Sequence, residues 1–188
     1  ATKDEKIMPI EKFNIKMMSI GFLLNEDDTV IWRGPMVHGA IKQFIEDVEW
    51  EGVENLVVDL PPGTGDAHLS LIQTVPLNGG IIVTTPQEVA LIDVKRGIQM
   101  FKKLNVPVLG VIENMSYLQN GSEKIDIFGR GGGKAMAEKF GVPFLGEIPI
   151  DPDIRKGGDN GEPIVFSKPD SPSAKAFEEI AERLIDIF

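Results

Sequence analysis

Apolar positions recur along this chain in two rhythms, short continuous runs and stripes spaced three and four apart, and each rhythm predicts a different element. Continuous runs bounded by Pro, Gly or Asp read as strands buried on both faces. They fall at residues 15–23, 56–59, 80–84, 107–113 and 144–148. The helical stripes lie between them. Gly34-Pro35 opens the first, since Pro suits a first helical position, and Met36, Val37, Ala40, Ile41, Phe44, Ile45 and Val48 share its face. Residues 67–74 make a short helix, and residues 89–104 a longer one with Leu91, Val94, Ile98, Phe101 and Leu104 inward and Lys95, Arg96, Gln99, Lys102 and Lys103 outward. Residues 134–140 follow as a helix, and Ser171-Pro172 starts the last, whose stripe is Phe177, Ile180, Ala181, Leu184 and Phe188.

Alternation of strands with helices predicts an α/β fold with a mostly parallel sheet and helices on both faces. No internal repeat and no linker interrupts the series, so residues 1–188 are expected to form a single domain. Ligands of such sheets bind beyond the carboxyl ends of the strands. That places weight on Leu56-Val57-Val58-Asp59-Leu60-Pro61-Pro62-Gly63-Thr64-Gly65-Asp66, an apolar run that ends in a carboxylate and opens into a Pro- and Gly-rich loop. Asp59 is suited to accept from a water on Mg²⁺, an ion that keeps most of its water shell and takes few carboxylates.

The string from Asp59 to Asp66 resembles the switch II and Walker B segment of the Mrp/ApbC-type P-loop ATPases, relatives of MinD and of the nitrogenase iron protein. Val30-Ile31-Trp32-Arg33-Gly34-Pro35-Met36-Val37 is similar to the stretch that precedes that strand in the family. Thr84-Thr85-Pro86-Gln87-Glu88-Val89-Ala90-Leu91 and Glu113-Asn114-Met115-Ser116-Tyr117 are similar to its next two strand-to-helix turns. The likeness implies a MinD-like, three-layer sandwich whose N-terminal strand and P-loop are missing from residues 1–188. It also implies ATP and Mg²⁺ as cofactors, a homodimer, and an iron-sulfur cluster or its precursor as cargo for assembly or recipient proteins. By the same resemblance Asp59 takes the Mg²⁺-water role, Pro62 and Gly63 face the phosphates, and Asp66 orients water. Asn114, Pro149 and Asp151 are expected on the adenine side, an amide being able to donate and accept at once. Without the family, Asn114 also suits a cap or turn.

Two departures limit that transfer. A P-loop needs Gly-x-x-x-x-Gly-Lys-Ser/Thr, and in Phe128-Gly129-Arg130-Gly131-Gly132-Gly133-Lys134-Ala135 Phe128 replaces the first Gly and Ala135 the hydroxyl. The run reads as a flexible loop feeding a helix. The chain also has no cysteine. Family members carry a Cys-x-x-Cys pair where Asn120 and Glu123 stand, and iron-sulfur clusters are held by thiolates. Residues 118–124 read instead as a polar turn around Asn120-Gly121.

Lys and Arg number 19 against 29 Asp and Glu, for a formal net charge of −10. Such a balance argues against nucleic acid or an anionic membrane as partner. No signal-like or membrane-length apolar stretch is present, so a cytoplasmic protein is expected. His38 and His68 lack metal-ligand spacing, and neither a Gly-x-Ser-x-Gly elbow nor a strand-linked Gly-x-Gly-x-x-Gly occurs. Two readings stand: an ATP-dependent cluster carrier present without its phosphate-binding loop, and a scaffold module that keeps the fold without turnover. The family is an ATPase, but without a Walker A loop these residues alone are expected not to hydrolyse ATP at a useful rate.

Overall fold

The computed structural model describes residues 2–3, 6–22, 34–61, 63–121 and 123–188. They group into two compact units, residues 1–76 and 77–188.

In the first unit, strands β1 (Thr2–Lys3) and β2 (Lys6–Ile7) pair antiparallel. Strands β3 (Ile10–Lys12) and β4 (Ile15–Met17) form a hairpin. Phe13 and Asn14 join them with φ of 53° and 59°, the signs that a tight type I′ turn demands at both central positions. The strand expected over residues 15–23 is therefore corrected to Ile15–Met17. A 3-10 turn at Ile20–Phe22 follows, and Leu23 lies outside the described residues. Helix α1 (Gly34–Glu46) forms where the stripe predicts it, with Ile41, Phe44 and Ile45 half-buried. Val48, assigned to its stripe, sits past the helix end, bridged to Ile7 and buried. The expected strand over residues 56–59 is also corrected: the segment makes no ladder among the described residues. A strand is defined by its neighbours' hydrogen bonds, which apolar character alone does not supply. Helix α2 (Asp66–Thr74) buries Ala67, His68, Ser70 and Leu71.

The second unit contains strands β5 (Gly80–Thr84), β6 (Val108–Asn120), β7 (Glu123–Ile125) and β8 (Phe144–Ile150). Its helices are α3 (Glu88–Lys103), α4 (Gly132–Phe140), α5 (Pro152–Asn160), α6 (Ile164–Ser167) and α7 (Pro172–Ile185). The parallel expectation holds for β5, β6 and β8, with β6 between the others. The polar turn expected over residues 118–124 is a hairpin: β7 pairs antiparallel with the end of β6, with Asn120 opposite Glu123. Helix α3 buries Val94, Ile98 and Phe101 of its predicted stripe. Ile112, Leu145, Ile148 and Ile180 form a core cluster that ties α7 to the sheet. Burying one such side chain is worth about 1.5–3 kcal/mol. The Arg183 guanidinium adds a hydrogen bond of 2.7 Å to the Leu145 carbonyl. No helix among the described residues is long and apolar enough to cross a membrane.

Candidate functional site

Asn114, Pro149 and Asp151 come together at the carboxyl ends of two adjacent parallel strands, because Asn114 of β6 is registered against Ile148 of β8. Pro149 is buried within β8. Asp151 caps α5: its Oδ1 accepts from the Asp153 amide at 2.8 Å, with Pro152 at the first helical position. Its Oδ2 accepts from the buried Ser173 hydroxyl at 2.6 Å. Both carboxylate oxygens thus stitch α5 to the start of α7. Beyond the cap, Lys168 donates to Asp153 and holds that carboxyl below its usual range, with Lys156 adding to the effect.

β6 leaves regular pairing at this point. Its register against β8 shifts between Asn114 and Leu118, and Met115 takes a left-handed φ of 53°. The Met115 amide donates to Asn114 Oδ1 at 2.9 Å, and the buried Ser116 hydroxyl donates to the Glu113 carbonyl at 2.8 Å. Glu113 is fully buried at 0% exposure. Its carboxylate accepts from the Gly133 amide at 2.5 Å and the Gly131 amide at 3.3 Å. The first turn of a helix has free amides and a positive dipole end, so it favours an anion. Here the protein's own carboxylate takes that place at α4. The glycine run expected as a flexible loop instead gives Gly132 and Gly133 to the start of α4 and packs closely: a Cβ on Gly132 would lie 2.6 Å from the Pro86 carbonyl oxygen, and one on Gly133 3.1 Å from both Glu113 Oε2 and Thr84 Cγ2.

At the far end of β6, Lys124 lies over the Tyr117 ring at 3.7 Å, and Gln119 donates to the Gly121 carbonyl at 2.7 Å. Asn120 and Glu123 face each other across this hairpin, offering an amide and a carboxylate where thiolates would be needed for a cluster.

In the other unit, Asp59 ends the unladdered segment with its side chain exposed and no hydrogen bond or ion pair among the described residues. Gly63 is left-handed at φ 100° and exposed. Asp66 is the first residue of α2, where a carboxylate complements the helix dipole. Pro62 lies outside the described residues. His68 is buried with Nδ1 unpartnered, and burial lowers its pKa from 6.5. Among the described residues no group of three or more His, Cys, Asp or Glu side chains is placed to hold a metal ion.

Sequence reasoning passed over Glu113, Ser116 and Ser173. An acid at the end of the apolar run Val108-Leu109-Gly110-Val111-Ile112, with a glycine run following eighteen positions later, was the available signal for the first. Nothing local marks the serines.

A family model described as ParA, NUBPL iron-transfer P-loop NTPase, matches residues 1–185. The chain is 50% identical over 182 residues to the iron-sulfur cluster transfer protein NUBPL of Dictyostelium discoideum, covering 96% of this chain and 56% of that protein. It therefore spans little more than half the length of that relative. A solved nucleotide-binding protein of Archaeoglobus fulgidus, in complex with ADP, is similar at a TM-score of 0.75 and 36% identity, over 94% of this chain and 68% of that one. The cell division ATPase MinD of Pyrococcus furiosus is similar at 0.59 and 26%, over 83% and 60%.

Proposed function

This chain belongs to the ParA family of NUBPL-type iron-transfer P-loop NTPases, and from that premise we propose that residues 1–188 are part of a Mg²⁺- and ATP-dependent iron-sulfur cluster carrier. Its fold is that of the MinD-like P-loop NTPases. In this reading the residues belong to one nucleotide-binding domain of a cytoplasmic homodimer that hands its cargo to recipient proteins. Asn114, Pro149 and Asp151 serve the adenine end. Asp59 serves the Mg²⁺ end through water, Pro62 and Gly63 the phosphates, and Asp66 the attacking water.

What carries the reading is the convergence of Asn114, Pro149 and Asp151 at the carboxyl ends of neighbouring parallel strands, where α/β sheets bind their ligands. An exposed carboxylate without a partner among the described residues, such as Asp59, suits Mg²⁺, which is held by one or two carboxylates plus phosphate oxygens and water. When bound, the ion neutralises phosphate charge. Phosphoryl transfer depends almost wholly on positioning and charge stabilisation, and residues 1–188 supply no Walker A lysine or amide cradle. Adenine nucleotide is therefore expected to bind weakly and without turnover, and Asn114→Ala to abolish the binding. Calorimetry and phosphate release on the purified chain test this. Binding indifferent to Asn114→Ala, or turnover that disappears on Asp59→Ala, would overturn it.

A further inference from the structure

The geometry points to Met115 as the residue that sets base specificity at this edge, acting through its backbone amide on Asn114. The inference rests on the nucleotide reading above and deepens it. An asparagine side chain has a donor end and an acceptor end, and a flip of its last torsion exchanges them. A free asparagine can therefore suit adenine, which offers an acceptor at N7 and a donor at N6, or turn its amide nitrogen toward the two acceptors of guanine, N7 and O6. Asn114 is not free. Its Oδ1 is held at 2.9 Å by the Met115 amide, while Nδ2 has no partner among the described residues. The nitrogen is left to donate, and the remaining lone pair of Oδ1 to accept from an exocyclic amine. Adenine satisfies both ends. Guanine sets its O6 against Oδ1, and the flip that would relieve the repulsion breaks the bond to Met115.

The Met115 amide is placed by the backbone and side-chain torsions of Asn114, and just past it the chain turns through a left-handed φ of 53° at Met115, a conformation that non-glycine residues keep only where their surroundings impose it. Those surroundings are visible on both sides. Glu113, one residue before Asn114, is anchored by the amides of Gly131 and Gly133. Ser116, one residue after Met115, is buried and tied back to the Glu113 carbonyl. Between Asn114 opposite Ile148 and Leu118 opposite Ile150, β6 takes four steps to two on β8. The surplus makes the turn that Ser116 closes back onto Glu113, and this fixes the Asn114 torsions that present the Met115 amide to its side chain.

The test is an NMR titration of the ¹⁵N-labelled chain with AMP and with GMP, following the Asn114 side-chain amide and the Met115 backbone amide. AMP is expected to move both signals at about tenfold lower concentration than GMP, a discrimination of the size that one bidentate base contact provides. Met115→Pro lacks the N–H and should bring the two nucleotides within about twofold, whereas Met115→Gly keeps the N–H, tolerates the positive φ and should keep the preference. Should Met115→Pro not fold, Ser116→Ala unties the turn with every backbone group in place and should narrow the preference likewise. Equal response to AMP and GMP in the unaltered chain, or a preference that survives both Met115→Pro and Ser116→Ala, overturns the lock. AMP that leaves Asn114 unmoved overturns the nucleotide reading itself, and the lock with it.

Discussion

Leu56-Val57-Val58 and Ile81-Ile82-Val83 are equally apolar triplets that would be assigned to strands on the same grounds, yet they meet different fates. Residues 80–84 form a ladder with β6, and Ile82 is buried while Ile81 and Val83 are 37% and 61% exposed. Leu56, Val57 and Val58 are 47%, 88% and 40% exposed and make no ladder among the described residues. The contrast extends to the units that contain them. Of the 17 buried apolar residues among those described, only Val48, Ala67 and Leu71 lie in residues 1–76. That unit also holds an open groove of about 1010 Å³, lined in part by Phe44, Trp50, Leu56, Val58 and Asp59. One region has a hydrogen-bonded ladder and a buried core. The other presents backbone groups outside any ladder among the described residues, and apolar side chains, to solvent, an arrangement that invites pairing with another chain.

The most severe way to break this comparison is to measure local stability. Backbone amides of residues 54–60 are expected to exchange near the rate of an unstructured chain, while those of β6 and β8 exchange only through global unfolding. Equal protection of the two segments by hydrogen exchange would erase the contrast. The chain should also associate as its concentration rises, and Val57→Lys should reduce this. Light scattering that finds a concentration-independent monomer for the unaltered chain contradicts the exposed edge.

Next in size is core truncation. Leu145→Ala, at a side chain 1% exposed, should cost about 2–5 kcal/mol. Val57→Ala should stay within about 0.5 kcal/mol. Urea unfolding of both variants measures the difference, and comparable costs would mean that residue 57 is packed after all. Smaller again is the effect of capping. Ser171 accepts from the Ala174 amide at 3.1 Å to cap α7, so Ser171→Ala should cost about 1 kcal/mol. Gly65 precedes α2 with no side-chain cap, and Gly65→Asp should gain a few tenths of a kcal/mol. Thermal melts of the two variants would show opposite signs.

The smallest effect is the pH response of residues 1–76. Burial holds the His68 pKa below 6.5 in the folded state, so the unfolded chain takes up the proton first. The contribution to stability is complete above about pH 6.5 and declines as the pH falls from there toward the folded pKa. Urea midpoints taken at about pH 7.5 and about pH 5.5 should show this decline, and His68→Gln should flatten it. An unchanged slope in the variant assigns the response to other groups.

Much of the site was legible because it depends on short-range chemistry. Ser171-Pro172 and Asp151-Pro152 carry their helix starts within two residues, although the second went unread, and α5 with it, because Gly157-Gly158 depletes the helical stripe. The hairpin Leu118–Ile125 looked like a turn because its paired segments are mostly polar and three residues long. Asp59, Gly63 and Asp66 were picked out by string, and the structure gives each a local setting without a partner that would fix its role.

By itself, then, the sequence determined which segments are apolar, where α1, α3, α4 and α7 run, that the sheet is largely parallel, and to which family the chain belongs. These follow from periodicity, capping chemistry and motif spacing, all of which act over a few residues. Only the tertiary structure decided that the apolar run at residues 56–58 makes no ladder among the described residues and that Glu113 occupies the amide cradle of the glycine run. It alone decided that β6 turns left-handed at Met115 and that the Met115 amide holds Asn114. Each of those outcomes depends on a hydrogen-bond partner brought from elsewhere in the chain or on register against a neighbouring strand. A ladder, an anion cradle and a bulge are relations between segments, and no single segment encodes its partner.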